Sequence, residues 1–274
     1  MKRLAVLVLL LLASTTRTPS ASLYDQSMAE ILRQQFSSPS ISYLLIDVPT
    51  GTLVASRWEN LGQPVPTGSL VKPFTALAYG AAHGYQYPEL TCHGTVDGCW
   101  LPRGHSRIGM TEAIGYSCNA YFRQLAARVA PEDAERVALR YGIGGPLRSF
   151  SPATLVGLDA EMKMPPLQIA RAYIELAGHA GDPGVAELLQ GMALSARAGT
   201  ASAIQKPLPA APALAKTGTA ACVHTPRAPG DGYTLILYPA DIPRWALLVR
   251  VHGVPGASAA RVGGEMLRTI VTGR

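Results

Sequence analysis

Beyond its first few residues this 274-residue chain has no run long and apolar enough to cross a bilayer. Its longest continuous apolar stretch, Leu4 to Ala13, reaches only about 15 Å as a helix, half of a hydrocarbon core. That stretch follows Met1-Lys2-Arg3 and turns polar through Ser14 to Pro19. The pattern is that of a secretory signal, with cleavage expected after Ala21 or Ser22. No cysteine directly follows the run, so a lipoprotein anchor is not indicated. Internal repeats are missing too, and 27 glycines with 22 prolines fall short of low complexity. Net charge is also scarce. Of the formal +6, Lys2, Arg3 and Arg17 belong to the leader, which leaves +3 for the remainder. That balance offers no argument for a nucleic-acid partner and suits an anionic polymer or a carboxylate substrate.

What is present is enough chain for one well-filled domain, expected over residues 22–274 after a signal peptide at 1–21. An exported chain with four cysteines permits disulfides. Cys92 and Cys99 bracket a short glycine-containing loop whose ends can meet, and a bridge is expected there. The rival reading adds His93 or His105 to make a zinc set, but the spacing matches no ordinary finger, so no metal and no cofactor are expected. Cys118 and Cys222 are open to two readings, buried free thiols or a pair across a cleft.

Ile41 to Asp47, a Pro-Thr-Gly turn, and Thr52 to Ser56 read as a β-hairpin, preceded by a helix over Ser27 to Phe36. Phe74 to Ala82 reads as a buried helix. Helical patterns follow over Gly109 to Tyr116, Asn119 to Ala130, Glu132 to Tyr141, Pro166 to Ala177 and Gly184 to Ala196. Strands return over Leu214 to Ala221, Tyr233 to Tyr238 and Arg244 to His252, before a final helix from Ala257 to Val271. The predicted class is therefore α+β. The N- and C-terminal strands form one antiparallel sheet flanked by helices, and the middle is mostly helical, with a cleft where it meets the sheet.

Three short motifs carry the chemistry. In Ser69-Leu70-Val71-Lys72 a hydroxyl and an amine stand one helical turn apart, a nucleophile beside a candidate base. Ser117-Cys118-Asn119 comes 48 residues after Ser69, and Lys216-Thr217-Gly218-Thr219 another 99 after Ser117. Each alone is weak, since a serine before a helix is commonly only its cap. In this order they resemble the SxxK, SxN and KTG motifs of the penicillin-binding protein transpeptidase and serine β-lactamase superfamily. The segments Met164 to Tyr173 and Gly199-Thr200-Ala201 resemble further stretches of the transpeptidases, so the likeness runs from about Ile41 to Gly273.

The resemblance implies a β-lactamase/transpeptidase-like fold and a role for each motif residue. Ser69 would attack the carbonyl of a D-alanyl-D-alanine stem peptide, with Lys72 as base and Ser117 as proton relay to the leaving amine. Asn119 would hold the substrate amide, Lys216 add positive potential, and Thr217 and Thr219 bind the substrate carboxylate. Gly218 would let substrate lie flat along the strand, and the backbone N–H groups of Ser69 and Thr219 would form an oxyanion hole. His105, Trp100 and Trp245 read as structural or cleft-wall residues, and Arg136 and Arg140 as one solvated helix face. The implied activity is that of a D,D-transpeptidase or carboxypeptidase of peptidoglycan, periplasmic or otherwise extracytoplasmic, with β-lactams as covalent inhibitors. A class D-like β-lactamase and a non-catalytic penicillin-binding sensor or scaffold are the alternatives. No deacylating glutamate motif is visible, and Tyr141-Gly142-Ile143 only partly resembles the class D element.

Overall fold

The computed structural model describes residues 22–143, 151–205, 208, 211–222, 226 and 228–273. The expected signal peptide lies outside them. Helix α1 (Leu23–Gln35) opens with a reciprocal cap, in which Ser22 Oγ accepts from Asp25 N at 3.1 Å while Ser22 N donates to Asp25 Oδ2 at 3.1 Å. It buries Met28 and Leu32. The expected hairpin follows as β1 (Ile41–Asp47) and β2 (Thr52–Arg57), with a bulge between Leu45 and Ile46.

After a short strand β3 (Val65–Pro66), a 3₁₀ turn over Gly68–Val71 runs directly into α2 (Lys72–Ala82). Pro73 sits in the first turn of α2, where its missing N–H breaks no helical bond. The middle of the chain holds β4 (Leu90–Cys92), β5 (Ser106–Ile108), α3 (Met110–Gly115), α4 (Asn119–Ala126), α5 (Pro131–Tyr141), α6 (Pro152–Val156), β6 (Lys163–Met164), α7 (Pro166–Gly178) and α8 (Val185–Ala198). The chain ends with β7 (Leu214–Ala220), β8 (Asp231–Tyr238), β9 (Trp245–His252) and α9 (Gly256–Thr272).

The main sheet is antiparallel throughout, in the order β2-β1-β9-β8-β7. It joins N- and C-terminal strands as the sequence predicts, around a helical middle. The central strands β1, β8 and β9 are buried almost end to end, because the sheet is covered on both faces. Alternation along β9 separates two cores. Leu247, Val249 and Val251 pack with Met28, Leu267 and Ile270 beneath α1 and α9. Ala246 and Leu248 turn the other way, toward Phe74, Phe122 and Tyr173 of the helical layer. Two small ribbons, β3 with β6 and β4 with β5, were not legible as strands in the sequence. Among the described residues no helix is long and apolar enough to cross a membrane.

Candidate active site

The three motifs meet at the edge strand β7. The turn carrying Ser69 lies against β7 so closely that backbone packs on backbone. Gly68 has φ +53°, and a Cβ there would fall 2.5 Å from the Thr219 carbonyl oxygen. From the other side Gly157, at φ +72°, presses on the same turn, and its Cβ would fall 1.9 Å from Gly68 O. Only glycine combines these dihedrals with this proximity. Tyr173 of α7 pins the turn from within, its hydroxyl donating to Leu70 O at 2.7 Å. The helix that the sequence likens to a transpeptidase segment thus serves as a brace for the turn that carries Ser69.

Lys72 begins α2 and is fully buried, as is Lys216 on β7. Between them stands Ser117, whose φ of +52° places a non-glycine residue in the left-handed region. Strain of that kind persists where the surroundings enforce it. Here the enforcement is visible: Lys72 Nζ donates to Ser117 O at 2.8 Å, to Ser117 Oγ at 3.3 Å and to Asn119 Oδ1 at 2.6 Å. Lys216 Nζ donates to Ser117 Oγ at 2.8 Å and to Thr217 O at 2.7 Å. Burial lowers Lys72 to about 7; the nearby Cys118 and Cys99 sulfurs oppose the shift and Arg123 adds to it. Burial, and secondarily the Lys72 charge, hold Lys216 well below the usual lysine range. Two amines crowded around one hydroxyl in a dry site have every reason not to be charged together.

Ser69 shares a cleft of about 260 Å³ with Ser117, Asn119, Thr217, Gly218 and Thr219. All eight residues singled out in the sequence are therefore gathered at one place. Lys72 spends its hydrogen bonds on Ser117 and Asn119, and Ser69 shares the pocket with them without bonding to it. For Gly218 the structure gives a packing reason. A Cβ there would lie 3.1 Å from Thr67 O and 3.2 Å from Leu70 Cγ, so the glycine admits the serine turn. Thr217 Oγ1 donates to Thr200 Oγ1 at 2.6 Å, and Thr219 Oγ1 accepts from Gly256 N at 3.0 Å.

Thr200 and Gly256 line the cleft and escaped selection in the sequence, where only the likeness around Gly199-Thr200-Ala201 hinted at the first. Trp100 is a cleft-wall residue, half-exposed, with its indole N–H donating to Tyr116 O at 3.1 Å. Trp245 is buried on β9. Arg136 pairs with Asp133 at 2.9 Å and Arg140 with Asp182 on the surface, as a solvated face would.

Cys92 and Cys99 depart from expectation, whereas Cys118 and Cys222 follow the free-thiol reading. All four are free thiols, so the predicted bridge between Cys92 and Cys99 is not formed. The sequence measured only the loop closing those two, whereas the fold adds His105 and Cys118 to the same spot. His105 Nδ1 lies 3.6 Å from both Cys92 Sγ and Cys99 Sγ, and Cys99 Sγ lies 3.9 Å from Cys118 Sγ. Burial pushes the Cys99 thiol up, but backbone amides of Leu101, Asn119 and Ala120 aimed at its sulfur leave it below the usual thiol range. His93 turns away to Asp97, at 3.0 Å. Cys222 does not pair with Cys118 and sits 3.7 Å from His252.

A buried lysine pair thus holds Ser117 beside Ser69, a second serine that lines the same pocket. Residues 55–272 match the family described as penicillin binding protein transpeptidase domain, and the chain belongs to that family. Solved structures with the same fold include PBP2 of Pseudomonas aeruginosa, at TM-score 0.73 and 19% identity over 91% of this chain and 73% of that one. PBPA of Mycobacterium tuberculosis matches at 0.71 and 20%, over 91% and 79%. The transpeptidase domain of Burkholderia pseudomallei penicillin-binding protein 3 matches at 0.68 and 17%, over 90% and 91%. No curated protein matches the chain.

Proposed function

We propose that the chain is a serine D,D-acyltransferase acting on D-alanyl-D-alanine stem peptides of peptidoglycan, as transpeptidase or carboxypeptidase, and that penicillins acylate it at Ser69. The observation that carries this reading is Ser117 Oγ held between Lys72 Nζ at 3.3 Å and Lys216 Nζ at 2.8 Å, beside Ser69 in one cleft. Neutral Lys72 takes the Ser69 proton as Oγ attacks the penultimate carbonyl. Ser117 passes a proton to the departing D-alanine amine, and the acyl-enzyme remains until water or an acceptor amine takes the acyl group. Lys216 and the Thr217 and Thr219 hydroxyls bind the terminal carboxylate, Asn119 the substrate amide, and the Ser69 and Thr219 amides the oxyanion. Each oxyanion donor contributes roughly 3 kcal/mol.

Residues 1–21 serve as the export signal and residues 22–274 as the extracytoplasmic catalytic domain in this reading. Mass spectrometry of the purified protein with a stem pentapeptide and a D-amino acid tests it. Release of D-alanine marks a carboxypeptidase, and exchange marks a transpeptidase. Rapid turnover of nitrocefin with an inert stem peptide would replace the reading with a β-lactamase.

A further inference from the structure

We propose that Cys92, Cys99, His105 and Cys118 form a tetrahedral zinc site that clamps the loop carrying Ser117 and Asn119. The four ligand atoms lie within 4.8 Å of one another, and the three cysteines are buried. With zinc–sulfur bonds of about 2.3 Å and a zinc–nitrogen bond of about 2.0 Å, a regular tetrahedron has S···S edges of about 3.8 Å and S···N edges of about 3.6 Å. The observed separations are 3.9 Å for Cys99 to Cys118 and 3.6 Å from His105 Nδ1 to both Cys92 and Cys99. No sulfurs stand at bonding distance, and the three thiols of the cluster cannot all pair among themselves. One metal ion satisfies all four groups at once.

The donors come from separate elements, which is what makes the site a clamp. Cys92 ends β4, Cys99 follows the 3₁₀ turn over Gly94–Asp97, His105 precedes β5, and Cys118 caps α4. Trp100 and Tyr116 flank the imidazole, each ring centroid 5.6 Å from that of His105, with Tyr116 stacked. Backbone amides aim at the sulfurs: Tyr121 N donates to Cys118 Sγ at 3.5 Å, and Leu101, Asn119 and Ala120 point at Cys99. Such donors stabilise thiolates and orient them. Binding forms three Zn–S bonds and one Zn–N bond and releases three thiol protons to solvent, leaving a closed site without an open coordination position. Its role is structural: Cys118 lies between Ser117 and Asn119, so the metal holds the serine in its left-handed conformation.

Metal analysis by inductively coupled plasma mass spectrometry on the full chain, purified without chelator, tests the site. The expected content is about one zinc per chain, lost in Cys92→Ser and Cys99→Ser and retained in Cys222→Ser. Because those variants can fail to fold, chelator-treated wild-type protein is also titrated with cobalt(II). The intense visible bands of a tetrahedral thiolate site are expected, saturating at one equivalent. Chelation should also slow acylation by a fluorescent penicillin about 10- to 100-fold, with recovery on adding zinc. This last readout rests on the proposed function, whereas the metal content and cobalt spectrum do not. A Cys92–Cys99 disulfide in a non-reducing peptide map, zinc that departs with Cys222→Ser, or absence of both zinc and tetrahedral cobalt bands would overturn the assignment.

Discussion

Ser69 stands or falls by its hydroxyl. Ser69→Ala should abolish covalent labelling by a fluorescent penicillin, read on a denaturing gel, while leaving thermal unfolding near the wild-type value. Lys72→Met should keep the nucleophile but slow acylation by about 10²–10⁴-fold, the usual worth of a positioned base. Its burial-lowered value of about 7 sets a pH profile. In the proposed mechanism the neutral amine is the active form, so acylation should rise with pH, about tenfold per unit below about 6, and level off above about 8. A stopped-flow pH series reads this directly, and a flat profile would remove Lys72 from the role of base. At this scale most of the candidate site was legible, because Ser69, Lys72, Ser117, Asn119, Lys216 and Thr219 fall in ordered motifs that the fold gathers at one place. Thr200 was not, since a lone threonine has no pattern and gains meaning only when its hydroxyl meets Thr217 at 2.6 Å.

Among elements, the tight contact of the Ser69 turn with its neighbours makes the sharpest claim. Gly157→Ala inserts a methyl 1.9 Å from Gly68 O at a φ of +72°, so a destabilisation above about 3 kcal/mol is expected in denaturant unfolding. Tyr173→Phe removes one buried hydrogen bond to Leu70 O and should cost about 1 kcal/mol, together with slower acylation as the turn loosens. The longer elements were legible from periodicity, and α7 and α9 each fall within a residue of their expected ends. Helix α4 stops at Ala126 rather than Ala130, because Arg128 and Val129 already bond three residues back in a tightening turn. Pro131 then holds Ala130 extended. The ribbons β3/β6 and β4/β5 escaped because strands of two or three residues carry no alternation. Cys92 and Cys99 were misread as a pair because the sequence shows their loop but not the approach of α4, which brings Cys118 to them.

Across the whole molecule, one sheet separates two cores, and neighbouring residues of β9 serve different ones. Leu247 points to the α1/α9 side and Leu248 to the helical middle. Both are fully buried, so Leu247→Ala and Leu248→Ala should each cost about 2–5 kcal/mol. Both should shift a single cooperative transition in calorimetry, whereas two separated transitions would mean that the layers fold independently. The α+β class was legible from strands at both ends of the chain around a helical middle. That β9 would sit between β1 and β8 was not, because register across a sequence gap of about two hundred residues leaves no local trace. The position of Trp100 gives the molecule an optical property. Of three tryptophans, Trp245 is enclosed in the sheet and Trp58 is partly covered by Arg250, whose guanidinium lies 4.7 Å from its ring. Trp100 alone is half-open to solvent on the wall of the serine cleft. Under the proposed function its emission should report cleft occupancy: an acyl group on Ser69 is expected to shield the indole, so iodide quenching should fall as the cleft fills, without an attached dye.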